Sequence, residues 1–299
     1  MQLITESQVA ALLTPTAARQ ALYEAFMQMG RGQASVLARH RAAAELDGAA
    51  LALSAMGAVL PAAGVMGTKV YSTRNGQFQF VVTLFSAVTG LPLATLEANE
   101  LTRLRTSAAT AVAADALAST DAKVLAVFGA GTQARAHVEA LQLVRKFDRV
   151  LVCARSGAAE FAASIGAEVA DAATAAREAD VIVTATRSNE PLFDGTLVKP
   201  GAFVAAVGSS KPVARELDDT LLSRAALIAV EWKTAAETEA GEFRRAGPGV
   251  ITPERVAELG SLLAAPRPRN PQDIIVYKSV GIGLEDLAIA HWIHQQLKA

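Results

Sequence analysis

The sequence predicts an α/β chain with two domains, a doubly wound parallel sheet together with a smaller α+β domain. Three observations carry this. The chain has 299 residues, at the limit of roughly 250 to 300 at which a single hydrophobic core stops growing. From Lys123 onward, short apolar runs alternate with helical segments, the sequence form of a parallel sheet covered on both faces. Between Leu37 and Leu96, longer apolar runs are instead punctuated by turn dipeptides, as in an antiparallel sheet.

Taken in order, the chain opens as helix. Thr5 and Gln8 stand in capping-box positions, and Thr14 with Pro15 reads as an N-cap followed by the first helical position. Ala18, Leu22, Ala25, Phe26 and Met29 then keep helical spacing until Gly30 and Gly32. Asp47-Gly48, Asn75-Gly76 and Thr89-Gly90 separate the strand-like runs that follow, and Asn75-Gly76 between two such runs predicts a hairpin. Gly48 to Thr68 carries no charge and has the length of a bilayer span, but Pro61, the glycines and the many alanines favour two buried strands joined by a turn. The alanine-rich run from Thr106 predicts a helix that begins just after Arg105. Six parallel strands are expected at KVLAVF, RVLVCA, VIVTAT, AFVAAVG, ALIAVEW and DIIVYKS. A last helix, GLEDLAIAHWIHQQL, has Leu287, Ala290, Ile293 and Leu297 on one side.

A formal net charge of −1, from 28 Lys and Arg against 29 Asp and Glu, provides neither a basic stripe for nucleic acid nor a polybasic run for lipid, so a small-molecule partner is favoured. The single cysteine, Cys153, lies in an apolar strand and reads as a small buried hydrophobe. With no export signal visible at the N-terminus, a reducing cytoplasm is expected. No metal-ligand spacing is present.

Gly129-Ala130-Gly131-Thr132-Gln133-Ala134 follows a predicted strand and opens a helix, the Rossmann-type fingerprint for a dinucleotide. The first glycine permits the turn and the second lets backbone approach the pyrophosphate, while Ala134 is small enough for close packing of helix on strand. The free N–H groups at the helix start face the phosphates. Where an acidic residue at the end of the next strand would select NAD, this chain has Arg155 and Ser156, so NADP(H) is preferred, with NAD(H) as the alternative.

The stretches LTRLRTSAATAVAADALA, FGAGTQARAH, ADVIVTATRS, AVGSSKPVARELDD and KSVGIGLEDLAIA together resemble the ornithine cyclodeaminase/mu-crystallin family of NAD(P)-binding proteins, in that family's order from about Arg41 to the C-terminus. The resemblance implies a substrate-carboxylate clamp of Arg41, Lys69 and Arg105. Arg39 lies two residues from Arg41, and the register could fall on either. A cation such as Arg105 just before a helix start also asks for an anionic partner. The resemblance further places Thr106, Thr184, Ala185, Thr186, Val207, Gly208 and the Ser279-Val280-Gly281 turn around the cofactor's ribose and nicotinamide. Ser210 stands where cyclodeaminating members carry an aspartate, and a serine hydroxyl is no base at neutral pH without an activator. The chain therefore looks more like the family's ketimine-reducing branch.

The implied function is reduction of a cyclic imino acid, 1-pyrroline-2-carboxylate or 1-piperideine-2-carboxylate, to proline or pipecolate, with Lys69 or Glu97 as candidate proton sources. The alternatives are ornithine cyclodeamination, an alanine-type dehydrogenase, and a ligand-binding protein without turnover. A homodimer built through the first domain's sheet is implied as well. Residues 1–113 and 286–299 would form the substrate-binding and dimerisation domain, and residues 114–285 the NADP-binding domain.

Overall fold

The computed structural model describes residues 1–268 and 270–298. The chain forms two compact units, Met1–Ala109 with Gly281–Ala299, and Thr110–Val280. These divisions lie four and five residues before the 113/114 and 285/286 expected from the sequence. The first falls inside a continuous helix, where no linker marks it.

The first unit starts with β1 (Gln2–Ile4), a strand where the sequence predicted only helix, followed by α1 (Glu6–Leu12) and α2 (Pro15–Gly30). Thr5 and Thr14 cap the two helices as their spacing predicts. Strands β2 (Ser35–Leu46), β3 (Ala49–Leu60), β4 (Val65–Arg74), β5 (Gln77–Ser86) and β6 (Pro92–Glu97) complete a six-stranded sheet in the order β1-β6-β5-β4-β3-β2. Asp47-Gly48 and Asn75-Gly76 turn the β2–β3 and β4–β5 hairpins, all four residues having positive φ, as a two-residue hairpin turn of the favoured hand requires. The uncharged Gly48–Thr68 run becomes β3, one 3-10 turn and the start of β4. Among the described residues no helix is long and apolar enough to cross a membrane.

Helix α3 (Asn99–Leu117) begins seven residues earlier than expected, so Arg105 is interior to it. The cap explains the difference. The Glu6 carboxylate accepts the backbone N–H groups of Asn99 and Glu100 at 3.0 and 2.5 Å, from a residue more than ninety positions away that no local pattern reveals.

The second unit continues through β7 (Val124–Phe128), α4 (Thr132–Gln142), β8 (Arg149–Cys153), α5 (Ala158–Ile165), β9 (Glu168–Val169), α6 (Ala172–Glu178), β10 (Val181–Thr184) and β11 (Phe203–Ala206). It closes with α7 (Asp219–Arg224), β12 (Ala225–Val230), α8 (Lys233–Glu239), α9 (Gly241–Arg244), β13 (Val256–Glu258), α10 (Leu259–Ala264) and β14 (Ile274–Lys278). Its eight strands are all parallel, in the order β13-β12-β14-β11-β10-β7-β8-β9. All six expected strands are present. The two additional ones, β9 and β13, are edge strands of two and three residues, too short for a periodic signal.

The last helix, α11 (Gly283–Gln296), belongs to the first unit and packs on β3, β4 and α2. It is buried on nearly all sides through Ala290 rather than along one stripe. A Cβ on Gly283 would overlap the backbone of Gly57, so glycine lets the helix start lie against β3.

Candidate functional site

In the first unit, cross-strand register collects the charged side chains. Arg41, Ser54, Tyr71 and Phe80 share one rung of β2 to β5, and Met56, Lys69 and Val82 share the rung two along, on the same face of the sheet. Arg41 donates through Nε to Ser54 Oγ (3.0 Å) and through Nη2 to the Tyr71 hydroxyl (3.3 Å), and is exposed. Arg39, at an irregularity of β2, is half-buried and donates to Met56 Sδ and to the Gly281 carbonyl. Both arginines therefore reach the face that carries Lys69.

Lys69 is fully buried. Its Nζ donates to Thr102 Oγ1 and to Asp286 Oδ1, each at 2.7 Å, and lies 4.3 Å from the Phe80 ring centroid. Burial pulls the ammonium from its usual 10.5 down to about 8, against the opposing pull of Asp286 and with further lowering by Arg105 and Arg39. Arg105, 8% exposed, donates to Glu285 Oε2 at 2.7 Å, and its Nε is 3.6 Å from Asp286 Oδ1. Being inside α3, Arg105 needs an anion because it is buried and not because of a helix start, and α11 supplies it. A side chain on Gly281, whose φ is +72°, would overlap the Arg105 guanidinium, so this glycine keeps the arginine's place open. Glu97 accepts the backbone N–H of Glu6 at 2.7 Å, a cap for α1. Thr106 donates back to the Thr102 carbonyl within α3.

In the second unit, Phe128, Thr184, Ala206 and Lys278 occupy one rung of β7, β10, β11 and β14. Gly129, Ala185, Val207 and Ser279 consequently emerge together at the carboxyl edge. The strand order reverses between β7 and β10, and ligands of such sheets bind outside that switch point. Gly129 has φ +119°, and a Cβ there would come within 2.7 Å of the Ala185 carbonyl oxygen. Gly131 is the N-cap of α4 with no side-chain cap, and a Cβ on it would meet only open space. Uncapped N–H groups behind an open glycine, with buried Ala134 against the sheet, fit a dinucleotide pyrophosphate. Thr132 and Gln133 form the first turn of α4, and Ala130 precedes its cap. Arg155 and Ser156 are exposed immediately after β8.

Four buried polar residues organise this edge without having been singled out from sequence. Glu216 accepts from Thr184 Oγ1, Thr186 N, Thr186 Oγ1 and Gly208 N at 2.7 to 2.8 Å, tying the ends of β10 and β11 together. Glu231 receives the Ser279 hydroxyl and Val280 N–H. Lys278 donates to the Ser209 carbonyl at 2.8 Å and pairs with Glu242 at 3.2 Å, holding the loop that carries half-buried Ser210. The available signal was a lysine or glutamate inside an apolar run, as in DIIVYKS and IAVEW, since such groups are seldom buried without partners. Asp286 and Glu285 of the first unit carry the same signal in GLEDLAIA.

The whole chain, residues 1–299, matches the model of the ornithine cyclodeaminase/mu-crystallin family. It is 35% identical over 225 residues to the Mus musculus ketimine reductase mu-crystallin, covering 72% of this chain and 69% of the mouse protein. Among solved structures, a probable ornithine cyclodeaminase from Bordetella pertussis Tohama I is similar with TM-score 0.94 and 43% identity, over 99% of this chain and 97% of that one. The Thermococcus litoralis Δ1-pyrroline-2-carboxylate reductase, solved with NADH and L-proline, gives TM-score 0.89 and 27% identity over 100% and 98% of the two chains.

Proposed function

We propose that this chain, which belongs to the ornithine cyclodeaminase/mu-crystallin family, reduces a small cyclic imino acid of the 1-pyrroline-2-carboxylate or 1-piperideine-2-carboxylate type to the corresponding amino acid. It is an NAD(P)H-dependent oxidoreductase acting on C=N bonds. The observation that carries the substrate reading is the cluster around Lys69, where Arg39, Arg41, Lys69 and Arg105 set four cations against the two carboxylates Glu285 and Asp286. That surplus suits a carboxylate ligand. Arginine meets it with a planar fork and lysine with a point charge.

The nicotinamide, when bound, supplies the hydride. Lys69, Arg105 and the β2 arginines hold the substrate carboxylate and so fix the ring, which turns an encounter into an oriented reaction. Gly129 to Ala134 hold the pyrophosphate. Thr184, Ala185, Thr186, Val207, Gly208, Val280 and Gly281, with Thr106, surround the ribose and nicotinamide, and Arg155 and Ser156 receive a 2′-phosphate, so that NADPH is preferred. Ser210 stands where cyclodeaminating members carry an aspartate, and a serine hydroxyl is no base at neutral pH without an activator, which supports reduction over cyclodeamination. Leu53, Val59, Val70 and Val81 lie on the sheet face away from Lys69 at 37 to 56% exposure, an apolar surface that supports a homodimer.

The test is a panel of five- and six-membered cyclic imino acids with NADPH and NADH, followed by absorbance of the reduced nicotinamide. Steady oxidation is expected with at least one imine. Ammonia release from ornithine without net cofactor change overturns the reading. Arg155→Ala is expected to raise KM for NADPH about tenfold or more, the worth of one charge-assisted contact, and to leave KM for NADH nearly unchanged.

A further inference from the structure

Asp286 is the one carboxylate of the Lys69 cluster with a visible spare acceptor. It is fully buried, its Oδ1 holds Lys69 and stands 3.6 Å from Arg105 Nε, and its Oδ2 is buried with no hydrogen-bond partner among the described residues. A carboxylate oxygen left so in a closed interior forgoes a strong interaction, and native structures seldom leave one without a use. The charged and polar neighbours come from every packed element, and none of them hydrogen-bonds this oxygen; Arg105 Nε, the cation placed beside the carboxylate, stands nearer to Oδ1. Lys69 and Tyr71 come from β4, Arg39 and Arg41 from β2, Arg105 and Thr102 from α3, and Glu285 from α11, and each of these is hydrogen-bonded or ion-paired elsewhere in the cluster.

Resting on the reductase reading above, we infer that Asp286 is a catalytic residue that holds the imine nitrogen of the substrate in its N–H form, one oxygen staying on Lys69 while the other accepts that N–H. The chemistry balances. A cyclic imino acid bound as C=N–H⁺ takes the hydride pair of reduced nicotinamide at carbon, forming a C–H bond. The π electrons of the C=N bond become the nitrogen lone pair, nothing leaves, and nitrogen keeps its proton. The neutral amine then takes a second proton from water as it departs. An anionic acceptor at nitrogen favours the cationic imine over the neutral one, and only the cation is a ready hydride acceptor. The same oxygen would hold the product's secondary ammonium.

Ligand binding reports on this without turnover. Calorimetric titration with L-proline and with cyclopentanecarboxylate, the same ring and carboxylate lacking nitrogen, measures what the N–H contributes. Wild type should prefer proline by about 10- to 100-fold, the span expected for one hydrogen bond to a charged group. In Asp286→Asn that preference should fall below about threefold while cyclopentanecarboxylate binds as before. Because the single change leaves Lys69 buried without its counter-ion, the charge-balanced pair Lys69→Met with Asp286→Asn is measured as well and should likewise lose the preference. A preference for proline that survives in either folded variant overturns the inference and leaves the reductase reading in place. Equal weakening of both ligands in Asp286→Asn makes Asp286 a scaffold for the carboxylate clamp and also overturns it. Wild type that binds neither ligand and oxidises NADPH with no imine overturns the reductase reading itself.

Discussion

Replacing Glu216 by glutamine changes one atom of a fully buried side chain, and the structure fixes what that atom does. Glu216 Oε1 accepts Thr186 N and Thr186 Oγ1, and Oε2 accepts Thr184 Oγ1 and Gly208 N. A glutamine keeps one acceptor oxygen and points an NH2 at the other pair of donors. A threonine hydroxyl can rotate to accept from it, but a backbone N–H cannot. Whichever way the amide turns, one backbone donor, of Thr186 or of Gly208, is left buried and unsatisfied, which costs about 1 to 3 kcal/mol. The remaining bonds also pass from charged to neutral acceptors, at roughly 0.5 to 1 kcal/mol each. Together these come to about 2.5 to 6 kcal/mol, a large share of a typical domain's stability. The loss falls on the ends of β10 and β11, where the Ala185–Thr186 and Val207–Gly208 turns leave the sheet. Urea unfolding should show a midpoint shifted down at unchanged slope, and KM for NADPH should rise several-fold. A Glu216→Gln protein with the wild-type midpoint and wild-type KM refutes the argument.

Gly129→Ala places a side chain at φ +119° and 2.7 Å from the Ala185 carbonyl oxygen. It should lose 2 kcal/mol or more, roughly a strained φ plus a backbone clash, together with most cofactor affinity, read by thermal shift with and without NADP⁺. His137 is buried and bonded to Thr110 Oγ1 and the Gln133 carbonyl, and desolvation lowers it from 6.5 to about 4. The unfolded chain therefore binds this proton at a higher pH than the folded one does, so stability falls as pH drops from 6.5 towards 4. His137→Gln should flatten that part of the Tm against pH curve relative to wild type, and an identical slope would remove His137 as the cause.

The parallel-sheet domain was legible because its core is written locally, as apolar runs with strand length separated by helix formers and a glycine fingerprint. The two hairpins were legible for a similar reason, since Asp47-Gly48 and Asn75-Gly76 encode their own backbone conformation. The beginning of α3 was not legible. Its cap comes from Glu6, a partner fixed only by tertiary structure. Arg41, Lys69 and Arg105 were singled out by the family resemblance, but the carboxylates that meet two of them could not be, because Lys69 meets Asp286 across 217 positions of sequence. Glu216 was hidden in the same way, its four donors lying 8 to 32 positions away on two other strand ends.

The position of α11 bears on when the protein can finish folding. Residues 110–280 form a contiguous unit whose strands are all made by the time β14 has been synthesised. The first unit, although begun earlier, lacks α11 until the chain beyond residue 280 has been made. Until then Lys69 has no Asp286 and Arg105 no Glu285, and an unpaired charge of this kind is several kcal/mol too costly to bury. On the ribosome the order of completion is therefore reversed relative to the order of synthesis. The first unit closes only when α11 joins it, with the arrival of two adjacent carboxylates as the closing event.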